Sequence, residues 1–160
     1  YQNAGTAFFQ YATNVLGYRL IASDTSTEKN NLGFLDFQRL AHLDNLLNEQ
    51  PERSTVIFMH HPPINLSNSE PLKHEYENYR MVKNFSEIIG RNPQVVAILC
   101  GHIHRSFTGW INATPLVAMP PLSRSLNRDP ASYSSTPNIA FYLHAFSTKA
   151  QVNTKVIAVN

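Results

Sequence analysis

Two turns carry the most reactive side chains of this chain, and each follows directly on an apolar run. The first run and its turn read Val56-Ile57-Phe58-Met59-His60-His61-Pro62-Pro63. The second read Val95-Val96-Ala97-Ile98-Leu99-Cys100-Gly101-His102-Ile103-His104. Imidazole suits the borderline transition metals, and short buried strands that stop at imidazoles would build a rigid metal site at one edge of a sheet. In extended backbone, residues i and i+2 point to the same side. His102 and His104 are therefore expected to form a two-toothed clamp, with Gly101 letting the backbone turn sharply away from its strand. Pro62 and Pro63 fix φ and end the first strand, which holds the neighbouring imidazoles with little freedom. One of His60 and His61 should face the metal while the other turns toward packing or solvent, and spacing alone does not choose between them. The plain reading is a Pro-rich turn and polar loop histidines; the two motifs together favour metal.

The elements that must position these residues follow from periodicity. Tyr18 to Ala22 reads as a strand that stops at Asp24-Thr25-Ser26, and the polar stretch from Thr27 to Asn31 as a loop. Leu35 to Leu47 carries an apolar stripe at helical spacing, with Asp36 near its start to suit the dipole and Pro51 beyond its end. Thr55 to Met59 is a strand, Tyr79 to Ile89 a second helix ended by Gly90 and Pro93, and Val95 to Cys100 a strand. Strand, helix, strand, helix, strand implies βαβ crossovers and parallel pairing. In such sheets ligands bind beyond the carboxyl ends of the strands, where both histidine turns lie. Pro115 to Met119 reads as a further short strand, and Pro120 to Pro137 as a long loop. Ile139 to Phe146 and Val152 to Val159 read as an antiparallel hairpin turning at Ser147 to Gln151. The expected fold class is α/β of mixed α+β character: a mixed sheet with βαβ units and antiparallel strands at its edge, over a single domain from 1 to 160.

Composition narrows the function. The chain has 160 residues, 42% hydrophobic and 15% charged, with a formal net charge of +2. That charge argues against nucleic acid as a partner, and no Lys/Arg run supports it. No apolar stretch approaches the roughly 18 residues of a bilayer span, so no membrane is expected. No signal-peptide pattern is visible at Tyr1-Gln2-Asn3-Ala4-Gly5. The single cysteine, Cys100, excludes an internal disulfide and suits a reducing cytosol, so a cytoplasmic location is expected. Alternation places Cys100 on the His102 side as a conceivable thiolate ligand; a packed free thiol is the reading taken.

His60-His61-Pro62-Pro63 followed by Gly101-His102-Ile103-His104 resembles the two carboxy-terminal motifs of the calcineurin-like metallophosphoesterases, nearest to the bacterial class III cyclic-nucleotide phosphodiesterases. Leu20-Ile21-Ala22-Ser23-Asp24-Thr25-Ser26 also resembles an upstream strand and turn of that family. The resemblance implies an αββα sandwich and a binuclear centre of manganese, iron or zinc. A metal-bridging hydroxide there attacks phosphorus while the metals neutralise phosphoryl charge. It implies that His60 and His102 bind the second metal and His104 the first, with His61 lining the pocket or supporting a ligand. The family's amino-terminal motifs (aspartate-any-histidine, glycine-aspartate and glycine-asparagine-histidine) do not occur in the chain. Three neutral imidazoles cannot balance two divalent ions, and the one strand-end carboxylate, Asp24, is not a family ligand. The chain is therefore expected to be the carboxy-terminal half of a phosphodiesterase, inactive alone, whose substrate is a cyclic nucleotide or similar small-molecule phosphodiester. Two rivals stand beside this: a catalytically inactive binding or scaffold module, and a mononuclear three-histidine zinc hydrolase. Apolar surface left by the absent half should drive self-association, as a homodimer or larger.

Other residues carry weaker signals. His74, with Glu70, Glu75 and Glu77, is expected in a solvated loop, the rival being a lid over the substrate. His42 is expected at the surface and His144 in a structural role on an edge strand. Arg124 and Arg128 could meet a phosphate but default to surface charge. Trp110 and Tyr142 are expected in the core.

Overall fold

The structure, a computed structural model, describes residues 8–64, 75–104, 106–120, 139–147 and 152–159. Eight strands and two helices follow in the order β1 (Tyr11–Val15), β2 (Tyr18–Ser23), α1 (Phe37–Asn48), β3 (Thr55–Met59), α2 (Tyr79–Gly90), β4 (Val95–Cys100), β5 (Phe107–Ile111), β6 (Thr114–Ala118), β7 (Ile139–Phe146) and β8 (Val152–Val159). The first six strands make one sheet in the order β1-β2-β3-β4-β6-β5. Its four central strands are mutually parallel, and β1 and β5 close it as antiparallel edges. The α/β class, the βαβ units and the antiparallel edges are as the sequence implies.

Local chemistry explains the elements. Asp36 caps α1, its carboxylate accepting Arg39 N–H at 2.9 Å. Asn78 caps α2 in the same way, accepting Arg80 N–H at 2.8 Å. Leu40, Leu43, Leu46 and Leu47 of α1 and Phe85, Ile88 and Ile89 of α2 are buried. They join Ile21, Ile57 and Ile98 of the sheet in one apolar cluster. Both helices therefore cover one face. Val56, Ala97 and Leu99 point to the other face, where Phe146 and Val152 of the terminal hairpin meet them. β4 is buried on both sides, which is why it reads as an unbroken apolar run.

Three expectations are corrected, and two strands are added. The β7-β8 hairpin is a separate two-stranded sheet, not the edge of the main one. The apolar residues of β3 and β4 turned away from the helices need cover, and the hairpin supplies it at Phe146 and Val152. Two edge strands, β1 and β5, went unread because neither has a wholly apolar face: β1 is almost entirely exposed. Its hairpin with β2 turns through Leu16 and Gly17, both at positive φ (48° and 88°), as a two-residue turn of this hand requires. Trp110 is not core; it alternates outward on β5 and is 69% exposed. His42 is half-buried rather than a plain surface residue, its ring 5.7 Å from that of Phe8.

The helix face fixes a direct test. Leu43 is fully buried on α1, whereas Phe37 on the same helix is 84% exposed. Leu43→Ala should lower the unfolding free energy by about 2–5 kcal/mol, and Phe37→Ala should change it by no more than about 0.5 kcal/mol. Urea unfolding of the two variants measures the difference.

Candidate metal centre

β3 and β4 pair in parallel with Phe58 opposite Leu99, so both strands end at the same level. The ladder continues one step further, Gly101 N–H donating to the His60 carbonyl at 3.0 Å. The two turns therefore leave the sheet side by side. His60, His61 and His102 come together there, with one ring nitrogen from each within 4.8 Å of the others. The tightest pair is His60 Nε2 and His102 Nδ1, 3.2 Å apart. Two nitrogens sharing one tetrahedral ion at ordinary metal–nitrogen distances sit about 3.3 Å apart. This pair fits a shared ion by both separation and donor type.

The second turn departs from expectation. His102 and His104 are not in extended backbone: both are left-handed, at φ 66° and 51°. Ile103 N–H closes back onto the Gly101 carbonyl at 2.8 Å, a three-residue turn centred on His102. Gly101 is not at positive φ, so the sharp turn belongs to the histidine after it. The extended backbone on which the expected clamp rested is therefore absent, and His104 stands outside the three-histidine group. Its Nδ1 is buried and, among the described residues, has no hydrogen-bond partner. A buried polar atom left in that state is uncommon, and an ion is one group that would satisfy it.

His61 is tied down from all sides. Its Nε2 lies 3.1 Å from the Asn31 carbonyl, which can only accept, so that nitrogen carries the proton. Its Nδ1 then accepts from the Thr25 hydroxyl at 2.9 Å. Tyr76 donates its hydroxyl to the His61 carbonyl at 2.7 Å. Both His61 ring nitrogens are thus engaged, although its ring lies nearer to that of His102 (4.2 Å between centroids) than the His60 ring does (5.0 Å). Burial, then the neighbouring His102 and His60 imidazoles, pushes His61 down to about 4, so it is neutral at pH 7. His60 is lowered too, by burial first and then by His102 and His104. Asp24 is used locally, accepting Ser26 N–H at 2.8 Å and Phe9 N–H at 2.9 Å. Burial raises its carboxyl, but these bonds and Arg39 outweigh burial and hold it below its ordinary value. Cys100 is a buried free thiol, and desolvation pushes it far above the ordinary thiol range, away from a thiolate ligand.

Sequence reasoning missed three contributors. Thr25 meets His61 because β2 ends level with β3; its place just past a strand end was a usable signal. Tyr76 is fully buried against Gly33, where an added Cβ would come within 2.7 Å of the tyrosine ring. Glu75 brings Oε2 to 2.9 Å from His102 Nε2, although its polar segment read as a solvated loop. His74, Glu70, Arg124 and Arg128 lie outside the described residues. His144 hydrogen-bonds Thr154 across the hairpin at 2.9 Å.

The family model of the calcineurin-like phosphoesterases matches residues 6–106. The chain belongs to this family. A probable glycerophosphodiester phosphodiesterase of Arcobacter nitrofigilis is 32% identical over 106 residues, covering 64% of this chain and 37% of that protein. A 3',5'-cyclic adenosine monophosphate phosphodiesterase of Vibrio vulnificus is 28% identical over 103 residues, covering 64% of this chain and 36% of that protein. The phosphoesterase chain thus spans little over a third of the length of the curated relatives it matches. A dimetal phosphatase from Danio rerio shares the fold at TM-score 0.52 and 12% identity, over 71% of this chain and 49% of that one. Among the described residues no helix is long and apolar enough to cross a membrane.

The depressed His61 sets a pH limb. Above its ordinary value of 6.5 the ring is neutral whether the chain is folded or not. As pH falls from 6.5 toward about 4, the unfolded chain takes up a proton that the folded chain refuses. The share of stability that His61 contributes is therefore full above that window and drops inside it, by at most about 1.4 kcal/mol per pH unit. Urea unfolding of the chelator-treated phosphoesterase chain should show a fall in stability across this window, and His61→Gln should reduce its slope.

Proposed function

We propose that these residues supply His60, His102 and His104 as metal ligands to a metal-dependent phosphodiesterase that hydrolyses a cyclic nucleotide of the 3',5'-cAMP type or a similar diester. The observation that carries the proposal is the 3.2 Å approach of His60 Nε2 to His102 Nδ1 at the carboxyl edge of a phosphoesterase sheet. The relatives' own activities toward glycerophosphodiesters and cyclic AMP support the diester class. A bound divalent ion would supply Lewis-acid neutralisation of charge on the phosphoryl oxygens. His60 and His102 offer nitrogen donors from a rigid strand edge, His104 adds a third from the same turn, and His61 braces the loop beneath them. Three imidazoles bring no negative charge, so a two-metal centre of manganese, iron or zinc would need carboxylates in addition to these three histidines. The reading includes a reducing, cytoplasmic setting for the buried thiol.

The test joins metal retention to turnover. The chain alone should keep one metal ion or none after manganese or zinc loading and desalting, and should not hydrolyse a chromogenic phosphodiester. Joined to a segment that carries the family's carboxylate motifs it should hydrolyse that diester with manganese, and His102→Ala or His104→Ala should lower the rate by more than about 100-fold. An unaffected rate overturns the assignment. One tightly held zinc with activity in the chain alone would instead establish the mononuclear site.

Self-association belongs to the same proposal. Phe141 and Leu143, on one face of the terminal hairpin, are 40% and 56% exposed, and such surface favours a partner. Sedimentation should show a concentration-dependent dimer or larger; a clean monomer at high concentration refutes this part.

A further inference from the structure

Glu75 stands apart from the expected ligand set, and its geometry is specific. Its Oε2 lies 2.9 Å from His102 Nε2, with the two side chains only 25% and 20% exposed. A carboxylate of this kind only accepts, so Nε2 is the nitrogen that carries the proton. In the uncharged ring Nδ1 then keeps its lone pair, and Nδ1 is the atom that lies 3.2 Å from His60 Nε2, within hydrogen-bond distance. A ring whose outer N–H is held by a carboxylate is fixed in orientation and made a better donor at its other nitrogen.

The backbone holds Glu75 to this task. Gly33 N–H donates to the Glu75 carbonyl at 2.6 Å, and Glu77 N–H donates back to the Gly33 carbonyl at 3.1 Å. Asn30 Nδ2 donates to Glu77 Oε1 at 3.0 Å. Between them Tyr76 is buried at 2% exposure, its ring against bare Gly33 and its hydroxyl on the His61 carbonyl. Residues 75–77 are thus pinned from both flanks beside the histidine turns. A surface ion pair of two long side chains has no such anchorage and contributes little.

We propose that Glu75 is a positioning residue, which selects the His102 tautomer that presents Nδ1 to a metal shared with His60. This rests on the reading of His60 and His102 as ligands, and the experiment separates the two. Zinc affinity is measured by competition with a chromophoric chelator for the chain, Glu75→Ala, Glu75→Gln and His102→Ala, with circular dichroism as the check on folding. The His102 tautomer is read from nitrogen-15 NMR of the metal-free chain at pH 8, assigned by the signals lost in His102→Ala. Expected are a protonated Nε2 in the unsubstituted chain, a mixture of tautomers in Glu75→Ala, and a 10–100-fold loss of zinc affinity in Glu75→Ala, with Glu75→Gln recovering part of it. A protonated Nδ1 in the unsubstituted chain overturns the proposal, and that measurement stands even if Glu75→Ala fails to fold. So does zinc affinity unchanged in Glu75→Ala while His102→Ala loses it. Affinity unchanged in His102→Ala overturns the ligand reading itself.

Discussion

Everything at the candidate centre depends on the parallel, level pairing of β3 and β4. His60 and His102 are 42 positions apart in the chain, and only strands that run the same way and stop together bring them within reach. The crossover through α2 makes that direction possible, because parallel neighbours need a long return connection. β2 joins the same arrangement, with Ser23 opposite Met59, and so delivers Thr25 to His61. A slip of one residue in either pairing would turn these side chains to the opposite face. The chemistry of the site is therefore a property of register first and of residue type second.

Register in turn is held by two-sided burial. Ile57 and Ile98 have no exposure on the helix side, and Val56 has none on the hairpin side. Shifting β3 would expose one set and drive the other against a surface shaped for different side chains, since interiors are close-packed. The hairpin and helices thus stabilise the histidine geometry by holding the strands that carry it. Tyr18 extends this hold, its ring 5.1 Å from that of Phe146 and its hydroxyl donating to the Ser147 carbonyl.

The sequence was readable where burial leaves a pattern. The runs at 55–59 and 95–100, the leucine stripe of α1 and the alternating pair 139–146 and 152–159 are all signatures of what they cover. β1 and β5 were silent because an edge strand has little to bury. The seat of the hairpin was not legible, since nothing local says which surface a strand pair will meet. At the site, the residue types of both turns pointed to metal, but backbone conformation did not follow from them. Gly101 drew the expectation of a turn that His102 in fact makes. The pairing of Glu75 with His102 was not legible because α2 and β4 separate the two in the chain, and only the assembled sheet brings them together.

Two left-handed histidines in one short turn have a consequence for what else the turn could be. A non-glycine residue in that conformation is held there against a cost of roughly 1–2 kcal/mol. Glycine or asparagine would sit at 102 and 104 with less resistance, whereas threonine, valine or isoleucine would be resisted by the backbone before any question of chemistry arose. The most comfortable version of this turn is chemically blank, and the version with imidazoles is held in place by the sheet behind it.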